Sequence, residues 1–476
     1  MNQTELHQQL LALLDNDPSR VSIEATDLET HSIDKWYASN LPDVVVFAES
    51  VEDVSKVLKF ANENKIPVTP RGAGVGYVGG CVPAEAGIVL SVAQMNRILE
   101  INPEDGVAVV QPGVITGELQ QQVKALGWYY PPDPASLKEC SIGGNVATNA
   151  GGPKCLKYGV TRNYILGLEV VLASGEILRT GGRTHKNKTG FDLIGMFVGS
   201  EGLLGIVTEV TVRIIPHPPA RITFSAGFTT FESAAAAVQK ILGAGFLPCA
   251  LEISDKFTLQ AARDFPDNPA NVPPGEAHLL FEIDGQPAAI QADKTPLLAL
   301  LDSCEPTQVE TADTEQACEE IWEIRRSFSY SLKATGLIKM NEDIVVPRSR
   351  LVDLARFSRS LQEEFGYAVA SFGHAGDGNI HVNIMVDQKE MEQNRENVDA
   401  ALDRLFRQVL EWGGVITGEH GVGLAKKRWF GSAISPVAHS VHASLKQALD
   451  PNGILNPGKF VPYGRVGPVS AQRPLE

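Results

Sequence analysis

The sequence is short of three things: closely spaced cysteines, long apolar runs and positive charge. Its six cysteines, Cys81, Cys140, Cys155, Cys249, Cys304 and Cys318, never lie closer than 14 positions. That spacing excludes a CxxC zinc ribbon and a CxxCxxC iron–sulfur run. A disulfide scaffold is not expected in a chain of 476 residues. A reducing compartment fits, so the expected location is cytoplasmic, with peripheral association at the inner membrane left open. The apolar runs, such as residues 164–171, fall far short of a bilayer crossing. The start, Met1-Asn2-Gln3-Thr4-Glu5, has neither a basic nor an apolar signal region, so no secretory signal is expected. Lys plus Arg is 41 against 57 for Asp plus Glu, a net charge of −16. A surface that coats phosphates needs the opposite sign, so nucleic acid is not an expected partner. A local basic pocket for a small anion is still allowed.

The length calls for more than one core. Residues 1–40 read as a helical lead-in, with Leu6, Leu10, Leu13 and Leu14 at helix spacing. Residues 44–47 read as a strand, 51–64 as a helix with Val54, Val57, Leu58 and Ala61 on one face, and 66–70 as another strand. Strands are expected at 167–173 and 205–215. Pro216-His217-Pro218-Pro219 marks a boundary, which gives segments 1–219, 220–415 and 416–476. The second segment reads as α+β. It has strands at 221–228, 250–253 and 277–283, and helices at 231–242, 256–263, 315–334 and 394–412. The tail from 462 is expected to be disordered.

What the chain has in plenty is glycine between Gly72 and Gly205. The run Gly72-Ala73-Gly74-Val75-Gly76-Tyr77-Val78-Gly79-Gly80 formally contains GxGxxG. The dinucleotide reading needs a helix to start there. Cys81-Val82-Pro83 follows instead, and Pro83 argues against a helix. A loop of N–H groups around a pyrophosphate fits better; a plain flexible turn is the alternative. A second stretch holds Pro131 to Pro134, Ser141 to Asn145, Asn149 to Gly152 and Tyr158. Its small residues with neutral donors and acceptors suit a flat, uncharged ring system. A third is Gly199-Ser200-Glu201-Gly202-Leu203-Leu204-Gly205-Ile206-Val207.

The later half carries histidines in two short motifs. In His374-Ala375-Gly376-Asp377-Gly378-Asn379-Ile380-His381, strands at 369–372 and 380–385 flank an Asp-Gly turn. His374 ends one strand and His381 opens the next. Alternation puts Ile380, Val382 and Ile384 on one face, and His381 and Asn383 on the other. In Gly418-Glu419-His420-Gly421, glycines free both middle side chains to enter a site. Two imidazoles and a carboxylate make a three-ligand metal site with open positions. Taken alone, His374 and His381 could also be ordinary turn and core histidines.

The three glycine-rich stretches resemble the FAD-binding domain of the vanillyl-alcohol oxidase type, which includes p-cresol methylhydroxylase. The motifs His374 to His381 and Gly418 to Gly423, with Asp450 to Lys459, resemble the FAD-linked D-2-hydroxyacid dehydrogenases. That family holds the glycolate oxidase flavin subunit, D-lactate dehydrogenase and D-2-hydroxyglutarate dehydrogenase. The resemblance implies an α+β chain: an FAD domain over 1–219, a substrate and metal-binding cap with an antiparallel sheet over 220–415, and a helical segment from 416 that returns to the FAD domain. It implies cofactor contacts at Arg71, Gly72, Ala73, Gly74, Val75, Gly76, Pro132, Asp133, Ser136, Ser141, Gly143, Gly144, Asn145, Asn149, Gly151, Gly152, Tyr158, Glu201, Gly205, Ile206, Val207 and Asn456. With no His between His31 and His185, FAD is expected to be non-covalent. It implies a divalent metal, zinc first with manganese or iron as alternatives, on His374, His381 and Glu419.

The resemblance also implies catalytic roles. His420 is the expected base, Arg325 of the Trp322-Glu323-Ile324-Arg325 motif and Lys339 the carboxylate holders, and Asn383 a further site residue. A solvated helix face is the alternative for Arg325 and its neighbour Arg326. The expected reaction oxidises a D-2-hydroxy acid to the 2-oxo acid: D-lactate first, then D-2-hydroxyglutarate, then glycolate. His420 takes the hydroxyl proton and flavin N5 the hydride. Electrons then pass to an external acceptor: an electron-transfer flavoprotein, a quinone or an iron–sulfur subunit. A homodimer is left open. The rivals are a non-catalytic FAD-binding relay subunit, a metal hydrolase and an NAD-dependent dehydrogenase. Intact base and metal motifs weigh against the first, and Pro83 against the last.

Overall fold

The computed structural model describes residues 1–461 apart from 267 and 269. The tail expected to be disordered lies outside the described residues. Helix Val51–Asn64 forms where expected. Ser50 accepts from Asp53 N–H as its N-cap, Asp53 answers as a capping box, and Lys65 closes the end in the left-handed region. Its buried face holds Val54, Val57, Leu58 and Ala61. The lead-in is not wholly helical. Between helices Gln3–Leu13 and Ala25–His31 lies strand β1 (Val21–Ser22), which pairs antiparallel with β2 (Val44–Phe47). Two residues are too few for a strand to show as alternation.

With β3 (Val68–Arg71) and β4 (Ile88–Ser91), these strands make a sheet in the order β1-β2-β4-β3, parallel within β2, β4 and β3. A second, antiparallel sheet holds β5 (Ile98–Asn102), β6 (Val107–Val110), β8 (Ile165–Val171), β9 (Ile177–Gly181) and β10 (Ile206–Arg213), in the order β5-β6-β10-β8-β9. Between them in sequence, β7 (Trp128–Tyr129) pairs with β11 (Ile215–Pro216). The chain end comes back to the first sheet. Val68 N–H donates to Ile454 O and Asn456 N–H to Val68 O, and Ile454 and Leu455 enter that sheet's core.

The third sheet is built from β12 (Ala220–Phe228), β13 (Ala250–Ser254), β14 (Ala277–Gly285), β15 (Gln308–Ala312), β16 (Ile338–Val345), β17 (Ala368–His374) and β18 (Asn379–Val386). All pairs are antiparallel, in the order β15-β12-β14-β13-β17-β18-β16. One face carries Phe224, Phe281, Met340, Ile344, Ile380, Val382 and Ile384. It packs on helices Phe231–Gly243, Pro287–Asp302, Leu351–Phe365 and Arg395–Glu411. Burying each large apolar side chain there contributes roughly 1.5–3 kcal/mol. The opposite face is covered only in part, where helices Lys256–Asp264 and Glu315–Ala334 pack Leu259, Ile324 and Phe328 against Ala370, Phe372 and Met385. The rest of that face is polar and buried, and it is where the site forms. No helix among the described residues is long and apolar enough to cross a membrane.

Candidate active site

Strand register assembles the polar face. His381 pairs with Asp343, Asn383 with Asn341, and His374 with Glu252. Directly opposed residues point the same way, so Glu252, Lys339, Asn341, Asp343, His374, His381 and Asn383 share one side. The turn between the histidines runs through Gly378 at φ +86°, where an added Cβ would strike Val346 O.

Glu419 and His420 arrive from a distant loop that two buried carboxylates hold in place. Asp343 Oδ2 accepts from Thr417 Oγ1 and from the N–H groups of Gly418, Glu419 and His420, at 2.9, 2.9, 3.0 and 2.9 Å. Glu201 accepts from Val422 and Gly423 N–H at 2.7 and 2.8 Å. The loop therefore sets Glu419 Oε1 3.5 Å from His374 Nε2 and 3.3 Å from His381 Nε2. These three ligand atoms lie within 4.8 Å of one another, and so do those of Asp343, His381 and His420. His374 donor–acceptor chemistry is fixed on its far side by Glu252 Oε1, 2.6 Å from Nδ1. An imidazole held this way presents Nε2 as a ligand. The donor set fits a divalent cation.

Electrostatics follow from burial against charge. Burial opposes protonation of His374, but Glu252 and Glu419 raise its pKa well above the ordinary value. Burial would raise the carboxyl pKa of Glu252, yet His374 and Arg325 hold it near about 2. Glu419 is lowered against its own burial by His374 and His381. Burial pushes His420 down to about 4 despite Asp343. A neutral His420 at pH 7 is able to take a proton. Its ring stacks on that of His381, with centres 5.2 Å apart, and on that of Tyr77, with centres 5.4 Å apart.

Arg325 reaches the site from helix Glu315–Ala334. Its Nε donates to Glu252 Oε2 at 2.6 Å, and the guanidinium lies 4.7 Å from the Phe372 ring centre. Arg326 instead points to Glu319 and Glu323 on the surface. Lys339 has no anionic partner among the described residues; its Nζ lies 5.9 Å from the Tyr77 ring centre. Burial, aided by Arg325, lowers it to about 8. Asn383 Nδ2 donates to Ala370 and His381 carbonyls, while its Oδ1 and that of Asn341 are buried without partners.

On the glycine-rich side, the N–H groups of Gly72, Ala73, Gly74, Val75 and Gly76 donate to no other atom among the described residues. No helix follows them. Such a run of free donors fits an anion. Arg71 lies directly beneath that cradle. Its guanidinium donates to the Ile33 and Thr30 carbonyls at 2.6 and 3.2 Å, and it forms the floor under Gly74. Asn456 Nδ2 donates to Gly80 O and Glu201 O, and its Oδ1 is buried without a partner. Gly151 lies against the metal-binding candidates, since a Cβ there would stand 3.0 Å from Glu419 Oε2. A cavity of about 440 Å³ is lined by Asn149, Ser200, Glu201 and Glu419, together with Phe430 and Phe460.

Other expected cofactor residues have the following partners within the chain. Tyr158 hydroxyl donates to Asp284 at 2.7 Å, in the third sheet, with Lys157 on the same carboxylate. The Glu201 carboxylate is spent on loop amides. Gly143 and Gly205 are glycine because Pro112 and Val170 press on them, at 2.5 Å from a built Cβ in each case. Gly152 is held by Asp133 O in the same way, and Asp133 Oδ1 accepts from Lys154 N–H. Asn145 donates to Thr116, and Asn149 accepts from Arg162 N–H at φ +52°. Ser141 caps helix Ile142–Thr148 through Gly144 N–H, and Pro132 O accepts from Gln120. Ser136 O accepts two turn N–H groups; Ile206 and Val207 pair with β8. Sequence reasoning missed Glu252, Asp343 and Tyr77. Asp343 could have been found by continuing the alternation Lys339, Asn341, Asp343; Glu252 gave no local signal.

Fold and site together define a flavin-dependent oxidoreductase. A model of FAD binding domains matches residues 42–181, and one of FAD-linked oxidase C-terminal domains matches residues 217–460. The chain is 39% identical to the glycolate oxidase subunit GlcD of Bacillus subtilis (strain 168), over 88% of this chain and 89% of that protein. It is 36% identical to D-lactate dehydrogenase of Anaerostipes hadrus, over 93% and 95%. Among solved structures, p-cresol methylhydroxylase with substrate bound superposes with a TM-score of 0.78 at 20% identity, covering 97% of each chain. That likeness establishes the vanillyl-alcohol oxidase type of fold. The chain belongs to the FAD-linked D-2-hydroxyacid dehydrogenase family.

Proposed function

We propose that this protein oxidises a D-2-hydroxy monocarboxylic acid to the 2-oxo acid with non-covalent FAD and a divalent metal, D-lactate first and glycolate next. The observation that carries this reading is the convergence of His374, His381 and Glu419 beside a neutral His420, with the unpaired Lys339 on the same face. Relatives named D-lactate dehydrogenase and glycolate oxidase subunit support the substrate class.

His374, His381 and Glu419 would hold the metal, zinc, manganese or iron. When bound, FAD supplies hydride acceptance and the metal acidifies a hydroxyl beside it. Lys339 and the terminal edge of Arg325 hold the substrate carboxylate, which fixes Cα for transfer. His420 accepts the 2-hydroxyl proton at Nε2. Partial cover by helix Glu315–Ala334 limits water. D-2-hydroxyglutarate ranks lower because Lys339 and Arg325 answer one carboxylate. Lys35 is already paired with Glu139, and Arg326 with Glu319 and Glu323. Two electrons leave to an external acceptor: an electron-transfer flavoprotein, a quinone or an iron–sulfur subunit.

The test is an anaerobic visible spectrum of the FAD-loaded protein with D-lactate, L-lactate, glycolate and D-2-hydroxyglutarate in turn. Bleaching by D-lactate and not L-lactate is expected, with loss of the response after chelation. His420→Ala should keep the flavin spectrum and abolish bleaching. Bleaching by no hydroxy acid, or unchanged turnover in His420→Ala, would sink the reading.

A further inference from the structure

Glu252 touches two parts of the site that the sequence treats as unrelated. It sits on β13 and is 2% exposed. Oε1 lies 2.6 Å from His374 Nδ1, and Oε2 lies 2.6 Å from Arg325 Nε. Strand register places it directly across from His374. Both of its oxygens are thus committed, one to a metal-ligand candidate and one to the carboxylate-holding arginine.

We infer that Glu252 is a positioning residue that sets the metal ligand His374 and the substrate-binding Arg325 in one geometry. The inference rests on the proposed function. Its physical content is a pair of directional constraints. A carboxylate on Nδ1–H fixes the ring orientation, so that Nε2 points toward Glu419 Oε1 and is the nitrogen left to a metal. A carboxylate on Nε leaves the two terminal guanidinium nitrogens as a fork for an anion. Because one side chain does both, the distance between metal and substrate carboxylate is built into a single residue. A buried carboxylate facing an arginine alone would be an ordinary ion pair; the second, simultaneous contact to His374 makes it a shared support. Phe372, beneath the guanidinium plane, keeps Arg325 from swinging away.

Glu252→Gln is the discriminating change. Glutamine retains one oxygen and gains an NH2, so one of the two donors, His374 Nδ1–H or Arg325 Nε–H, must face another donor. Apo-protein is dialysed against zinc or manganese and the bound ion counted by atomic emission. Wild-type protein is expected to bind one ion, and Glu252→Gln to bind it roughly 10- to 100-fold more weakly. At saturating metal, the KM for D-lactate should also rise about tenfold or more. FAD content and the circular dichroism spectrum should match wild type, which a merely structural residue would not ensure. Glu252→Asp keeps two acceptors on a shorter stem. It should fall between the two, and it carries the test if Glu252→Gln does not fold. Variants with wild-type metal affinity and KM would overturn the inference while leaving the proposed function intact. Wild-type protein that binds no divalent ion would overturn both.

Discussion

Replacing Asp343 by asparagine should disable the proposed site while leaving His374, His381, Glu419, His420, Lys339 and Arg325 themselves unchanged. Oδ2 of Asp343 accepts four hydrogen bonds that fix the turn carrying Glu419 and His420, and Oδ1 accepts from Asn379 Nδ2 at 2.6 Å. Hydrogen bonds to a charged acceptor contribute about 1.5–3 kcal/mol, against about 0.5–1.5 for neutral ones. Asparagine can keep an oxygen toward the turn, so the loss is the charge difference, about 1 kcal/mol for each of the four bonds. Its NH2 would then meet the NH2 of Asn379, which adds to the cost. Four bonds on one oxygen do not add fully, so about 2–4 kcal/mol is expected. That corresponds to roughly 30- to 1,000-fold in kcat/KM. The lower end applies if Glu201, through Val422 and Gly423, holds the turn nearly closed by itself. The assay is stopped-flow flavin reduction under anaerobic conditions, with whichever hydroxy acid reduces the wild-type protein. FAD content is measured alongside. A kcat/KM within threefold of wild type, with FAD retained, would refute the argument that Asp343 builds the catalytic turn.

Two further outcomes concern pH. Lys339 is lowered to about 8 by burial and Arg325. As the cation proposed to hold the substrate carboxylate, it should make kcat/KM fall as pH rises above about 8. Lys339→Arg should remove that fall, because guanidinium keeps its proton. Buried His278, hydrogen-bonded to Ser225, is lowered to about 3 by burial. Its unfolded form binds protons first as pH drops, so stability is lost from about pH 6.5 downward. The slope is about 1.4 kcal/mol per pH unit, ending near the folded pKa. Urea unfolding at pH 7 and pH 5 should show the loss in wild type and a shallower one in His278→Gln.

Much of the fold was legible from periodicity. The face of helix Val51–Asn64, the length of helix Glu315–Ala334 and the hairpin joining His374 to His381 follow from spacing of three to four residues or alternation of two. Pro83 correctly kept a helix away from the first glycine run. Glycine itself was ambiguous. Gly143, Gly152 and Gly205 are small because neighbouring chain presses on them, and Gly151 because Glu419 does. A glycine beside a ligand and one beside a strand look the same in sequence. Arg71 and Tyr158 stand in the expected segments, yet their polar ends are turned to Ile33 and Asp284. Side-chain direction depends on partners far along the chain, which no local pattern records.

The sequence by itself determined which residues are the candidates for chemistry: two histidines on one sheet face, a Glu-His pair between glycines, and a run of N–H groups with no helix after it. These are consequences of local geometry, and local geometry is written in neighbouring residues. Only the tertiary structure decided that Glu419 meets His374 and His381, because Asp343 and Glu201 pull its loop across from another part of the chain. It also decided that Glu252 stands behind His374 and Arg325 together. Those contacts depend on strand order and register in the seven-stranded sheet, and register is fixed by packing of the whole sheet rather than by any residue's neighbours.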